Sequence, residues 1–128
     1  MIRQYRELKI HWHTDVNRPP AQYANELKRV CMEASKPVIL ASSDAFAGEL
    51  VAQLETETFR AGREFGICGF YAHRQLLPDG RRLSSVKVNT RAIGEQAVKL
   101  LLKHIQYPWN SSKEEMGVAV EFIYSDTL

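Results

Sequence analysis

The chain has 128 residues, of which 45% are hydrophobic and 25% charged. That is the balance of one globular domain, and the length leaves little room for two. Seventeen basic and 15 acidic residues give a net charge of +2, which excludes the electrostatic footprint of a stand-alone nucleic-acid binder. Two cysteines, Cys31 and Cys68, are too few for a disulfide framework and lack zinc-site spacing. There is no apolar run of about 18 residues to span a bilayer. Met1 to Arg6 lacks the apolar segment of a secretory signal. The expectation is a cytoplasmic protein with reduced thiols and no membrane partner.

In chain order, residues 5–9 read as the tail of a helix and 8–13 as a short strand. The loop Asp15-Val16-Asn17-Arg18-Pro19-Pro20 then opens a helix, since proline suits a first helical turn. Tyr23, Leu27, Val30, Cys31 and Ala34 set its apolar face. Val38-Ile39-Leu40-Ala41 is a continuous apolar run between polar residues, which predicts a buried parallel strand. It leads into Ser42-Ser43-Asp44, side chains suited to capping a helix N-terminus, and Phe46, Leu50, Val51 and Leu54 mark the face of the helix that follows. Residues 56–64 read as loop, Phe65 to Tyr71 as another buried strand, and Pro78-Asp79-Gly80 as a turn. Leu83 to Val88 reads as a strand with Ser84, Val86 and Val88 on one side.

Thr90 is placed at the cap of the next helix, whose apolar stripe is Ile93, Ala97, Leu100, Leu101 and Ile105. Arg91, Glu95 and Lys99 lie opposite at a spacing that allows pairing. Residues 108–115 read as loop, and alternation from Val118 to Tyr124 predicts a last strand. The order (α)β-α-β-α-β-β-α-β predicts an α/β fold with adjacent parallel strands joined by crossover helices.

Most local chemistry has an ordinary reading. His11 and His13 lie on one strand face about 7 Å apart, but no third ligand stands at a fixed spacing, so no metal is expected. There is no nucleophile elbow and no glycine-rich phosphate loop. Cys68 sits in an apolar strand, where a thiol is inert. Arg3, Arg6 and Lys9, like Arg81 and Arg82, form small groups that read as solvated surface. Neither catalysis nor a cofactor is expected. The best site candidate is Ser42-Ser43-Asp44, at a strand's carboxyl end and a helix N-terminus, where ligands bind in open α/β sheets. Simple capping explains it equally well. Tyr71 ends the next strand and can line the same crevice.

Several segments, in order, resemble the effector-binding domain of the lac/gal repressor family. Pro37-Val-Ile-Leu-Ala-Ser-Ser-Asp44-Ala-Phe-Ala-Gly48 resembles its Asn-Asp segment. Gly66-Ile-Cys-Gly-Phe-Tyr71 resembles its glycine-aromatic-Asp strand, Leu83-Ser-Ser-Val-Lys-Val-Asn89 its Leu-Thr-Thr-Val strand, and Ile93 to Leu102 the helix after that. Val118 to Thr127 matches the final strand. The resemblance covers about residues 10–127 and implies the back part of a type I periplasmic-binding-protein-like domain, mostly the second lobe. Residues 10–71 and 118–126 then belong to the second lobe and 84–105 to the first, with hinge crossings near 72–83 and 106–117.

The resemblance also implies a small-molecule effector, sugar or related, and a homodimer. DNA is reached only through an N-terminal headpiece outside this sequence. Carried over by position, Ser43, Asp44, Tyr71 and, loosely, Asn17 face or brace the effector, while Phe46, Leu50 and Leu54 are shared between core and dimer interface. Tyr71 stands where the family has an Asp that grips hydroxyls, and Tyr124-Ser125-Asp126 replaces the family's Arg-x-Ser ending. A tyrosine offers one hydroxyl and a stacking face in place of a two-oxygen acceptor. Two other readings stay open: a fragment of a sugar-uptake binding protein, and a small α/β enzyme or flavodoxin-like domain.

Overall fold

A computed structural model of the protein describes residues 18–73, 75–109 and 114–128. The expected elements at 5–9 and 8–13, His11 and His13, and Asn17 lie outside these residues. The order is α1 (Pro20–Glu33), β1 (Val38–Leu40), α2 (Asp44–Leu54), β2 (Gly66–Phe70), β3 (Ser84–Val88), α3 (Thr90–Gln106) and β4 (Val120–Ile123). The four strands form one sheet in the order β1-β2-β3-β4. β1 and β3 each run parallel to β2, while β4 runs antiparallel to β3.

The crossover from β1 to β2 contains α2, as the pattern predicts. The connection from β2 to β3 contains no helix among its described residues. Pro78 to Gly80 makes the expected turn instead, with Gly80 at φ +86°, a conformation glycine adopts without steric cost.

One face of the sheet carries the core. Ile39 and Ile67 point toward α1 and α2, and Leu50, Leu54, Ile67 and Leu83 are wholly buried. Each contributes about 2 kcal/mol by leaving water. α2 turns Ala47, Leu50, Val51 and Leu54 inward, and α1 adds Ala24, Leu27 and Cys31, while Ala34 lies past the helix end and is exposed. Residues 56–64 form irregular chain as expected, yet they contribute to the core, because Phe59 stacks on Phe65 with ring centroids 4.8 Å apart.

Among the described residues, the other face is open. Register places Val38, Leu40, Phe70, Val86, Val88, Val120 and Phe122 there together. Val38 and Leu40 are 64% and 69% exposed, so β1 is buried on one side only. The continuous apolar run that predicted two-sided burial reflects a face that the described residues do not cover. α3 follows the same logic. Its stripe is where periodicity put it, but no residue of the helix is buried. Asn89, not Thr90, is its cap, accepting from the Ala92 N–H at 3.0 Å.

The end of the chain locks the base of the sheet. Thr127 sits between the first residues of β2 and β3. Its backbone carbonyl accepts from the Ile67 N–H at 2.8 Å, its hydroxyl donates to the Ile67 carbonyl at 2.8 Å, and the same oxygen accepts from the Ser84 N–H at 2.9 Å. Arg81, expected on solvated surface, is instead a hub. It makes a bidentate pair with Glu55 at 2.9 and 2.7 Å, binds Asp79 through Nε at 2.7 Å, and donates to the Ala61 carbonyl at 3.0 Å.

Candidate functional site

Three loops meet at the carboxyl ends of the parallel strands: Ser42-Ser43 after β1, Tyr71-Ala72-His73 after β2, and Asn89 after β3. Crevices outside the carboxyl ends of parallel strands are where open α/β sheets bind ligands. Ser43 is the α2 cap, its Oγ accepting from the Phe46 N–H at 3.2 Å. That is the capping chemistry its residue type predicts.

Asp44 begins α2 and turns inward, 3% exposed. Its Oδ2 accepts from the His73 N–H at 2.5 Å and its Oδ1 from the Ser85 hydroxyl at 2.5 Å. Ser85 Oγ in turn accepts from the Ala72 N–H at 3.1 Å, and the Tyr71 N–H donates to the Val86 carbonyl at 2.8 Å. Three consecutive amides of the β2 turn are therefore anchored to α2 and β3. The anchoring holds an uncommon backbone, since Tyr71 and Ala72 have φ of +84° and +57°, and a side chain in that region costs about 1–2 kcal/mol per residue. Gly69 makes the close approach possible. A methyl group there would overlap Asp44 Oδ1 and lie 2.9 Å from Asp44 Cα.

The turn presents Tyr71 at the rim, 42% exposed. Its ring meets Phe70 edge-on at 5.1 Å and lies nearly parallel to His73 at 6.1 Å. Thus the structure brings Ser43, Asp44 and Tyr71 to one end of the sheet, with Asp44 as the brace beneath. Asn17 lies outside the described residues. Of the residues assigned to a dimer interface, Leu50 and Leu54 are 1% and 0% exposed. They have no surface to offer a second copy, and only half-buried Phe46 has any.

Sequence reasoning missed Ser85 and His73. The alternation of β3 contained the signal for Ser85. With Ser84, Val86 and Val88 on one side, Ser85 must face α2. His73 acts through its backbone and carries no side-chain signal. The site offers hydroxyls, an imidazole and aromatic faces, with its one carboxylate turned inward. Among the described residues, no group of three or more His, Cys, Asp or Glu side chains is placed to hold a metal. Cys68 lies close to this brace, but burial first and Asp44 second push its thiol up from the ordinary range, and burial does the same to Cys31. Neither is poised as a nucleophile.

The structure is a mixed α/β fold, a partly parallel sheet with helices on one face and a tied crevice at its strand ends, and solved structures share that fold over part of their length. The chain is similar to a LacI family transcriptional regulator from Enterococcus faecium with bound ribose, with 21% identity and a TM-score of 0.57 over 84% of this chain and 39% of that one. It is also similar to an uncharacterized protein from Actinobacillus succinogenes, with 20% identity and a TM-score of 0.60 over 86% and 40%. The chain thus spans about two fifths of the length of each. No family model and no curated protein matches the sequence. Among the described residues, no helix is long and apolar enough to cross a membrane.

Proposed function

We propose that this chain is the effector-sensing part of a lac/gal-type transcriptional regulator, and that it binds a small molecule at the rim formed by Ser43, Tyr71 and His73. The observation that carries this reading is the tied turn. Asp44 and Ser85 hold a strained β2 turn in one geometry, and that geometry presents an aromatic side chain at the strand ends. The fold likeness to a regulator with ribose bound supports it. So does the placement of α3. A 17-residue helix with a regular apolar stripe and no buried residue fits an element of a first lobe supplied by a longer polypeptide, because helices gain most of their stability from packing such a face. On this reading DNA is engaged only by a headpiece outside this sequence, and the chain performs no catalysis.

The effector has a sugar-like or heterocyclic face that stacks on Tyr71. Amide-resolved NMR titration of the chain with ribose, glucose, adenine and guanine at millimolar concentration tests this. Half a cleft binds weakly, and chemical-shift mapping reads weak binding. The expected result is saturable shifts at Ser43, Tyr71 and His73 for one of these compounds. Shifts confined to other parts of the chain, or none with any compound, would overturn the site.

A further inference from the structure

The turn after β2 raises two rings, not one. Those of Tyr71 and His73 lie within 16° of parallel, with centroids 6.1 Å apart. Two flat rings in full face-to-face contact sit about 3.5–4 Å apart. Three rings stacked at that contact distance put the outer two about 7 Å apart. The observed spacing is too wide for full overlap of the pair, and only about 1 Å short of a stack with one ring in the middle. Both side chains are exposed, so a small rotation of each within its rotamer well supplies the difference.

We infer that Tyr71 and His73 form a bracket that takes one planar nitrogen heterocycle between them, so that the effector is a flat ring and not a free sugar. This rests on the effector reading of the rim and narrows it. The gap is fixed at its base by backbone rather than by the rings themselves. The Tyr71 N–H is tied to the Val86 carbonyl, the Ala72 N–H to the Ser85 hydroxyl and the His73 N–H to the Asp44 carboxylate. Phe70 meets the Tyr71 ring edge-on at 5.1 Å and braces it from the side.

The chemistry of the rim selects the same class. A puckered sugar ring is thicker than a flat one and needs a wider gap. A carboxylate accepts two sugar hydroxyls at once, but the site's one carboxylate, Asp44, is 3% exposed and holds the His73 N–H and the Ser85 hydroxyl beneath the turn. The strands on either side of β2 lead instead into neutral groups. Ser43 Oγ accepts from the Phe46 N–H and Asn89 Oδ1 from the Ala92 N–H. What each then offers a ligand is a donor, the Ser43 hydroxyl proton and the Asn89 NH₂ group. Donors of that kind pair with the ring nitrogens and carbonyl oxygens at the edge of a heterocycle, while its faces meet the two aromatic side chains.

The test is NMR on the 128-residue chain, with adenine, uracil and nicotinamide as flat rings and ribose and glucose as puckered ones, each at millimolar concentration. The expected result is saturable shifts at the rim with a flat ring and none with a sugar, and nuclear Overhauser contacts from the bound ring's protons to the side chains of both Tyr71 and His73. Tyr71→Ala and His73→Ala should each weaken that binding about tenfold, the usual effect of losing one stacking face. Tyr71→Phe and His73→Phe keep a ring and should stay within about threefold of the parent. Unchanged amide signals of Ala72 and Ser85 show that the turn is intact in each variant. A sugar that binds the rim while no flat ring does overturns the bracket and leaves the effector reading standing. So do contacts to only one of the two side chains, or alanine variants that bind a flat ring as well as the parent does. No response at the rim to any of these compounds overturns both.

Discussion

If Asp44 is the brace of the β2 turn, replacing it must cost at least what its hydrogen bonds to His73 and Ser85 imply, and the chemistry of the replacement must matter. In Asp44→Ala the His73 N–H and the Ser85 hydroxyl both lose their acceptor. A buried donor left without a partner costs about 1–3 kcal/mol, so the variant should lose roughly 3–5 kcal/mol of a total near 5–15 kcal/mol. Asp44→Asn behaves differently. Its carbonyl oxygen takes the place of Oδ2 and accepts from the His73 N–H, which is fixed by the backbone. Its NH₂ group then meets Ser85, whose hydroxyl can rotate to accept. Both contacts survive without the carboxylate's charge, and the expected loss is about 1–2 kcal/mol.

Urea denaturation measures both variants, with an unchanged slope showing that the same surface unfolds. Amide exchange at His73 locates the damage. Equal losses below about 1 kcal/mol in the two variants would refute the brace.

Three further outcomes follow from the same geometry. Thr127→Val keeps the volume of a fully buried side chain but strands the Ser84 N–H, and should lower stability by about 1–3 kcal/mol in the same denaturation assay. Ala72→Gly relieves a positive φ and should raise stability by up to about 1 kcal/mol, a gain reduced by the freer unfolded glycine. The Arg81 backbone N–H first and its guanidinium second hold the Asp79 carboxyl below its ordinary range, and Arg81→Ala removes only the guanidinium, with the backbone N–H and Arg60 remaining. A carboxylate with a lowered folded pKa adds stability above its unfolded pKa and loses it as pH falls through the folded value. Carboxyl NMR titration should therefore show Asp79 rising part of the way toward its usual pKa in the variant, with a smaller acid-side loss of stability.

The elements were legible because they rest on local pattern. The apolar run from Val38 to Ala41, the alternation in β3 and the period of α3 each fixed type and extent to within a few residues. Serines before Asp44 announced a helix start, and Ser43 caps it. What stayed hidden depends on partners far along the chain. Thr127 reads as an unremarked residue near the end until it is found between Ile67 and Ser84. Arg81 reads as surface until Glu55, 26 residues earlier, closes on it. Burial was misjudged for a different reason. An apolar stripe states that a face needs covering, not what covers it, and α3, Val38 and Leu40 all carry faces that the described residues leave open. At the site, Ser43, Asp44 and Tyr71 were readable from type and position. The turn's positive φ values were not, since neither Tyr71 nor Ala72 is a residue that advertises a left-handed backbone.

The central claim is that this chain is the sensing part of a longer regulator, with α3 awaiting a first lobe. It is tested most directly by sequencing the reading frame upstream of the codon for Met1. The account predicts an uninterrupted frame that encodes another α/β lobe and, before it, a helix-turn-helix headpiece. An in-frame stop codon immediately upstream, with Met1 as the true first residue, would contradict it.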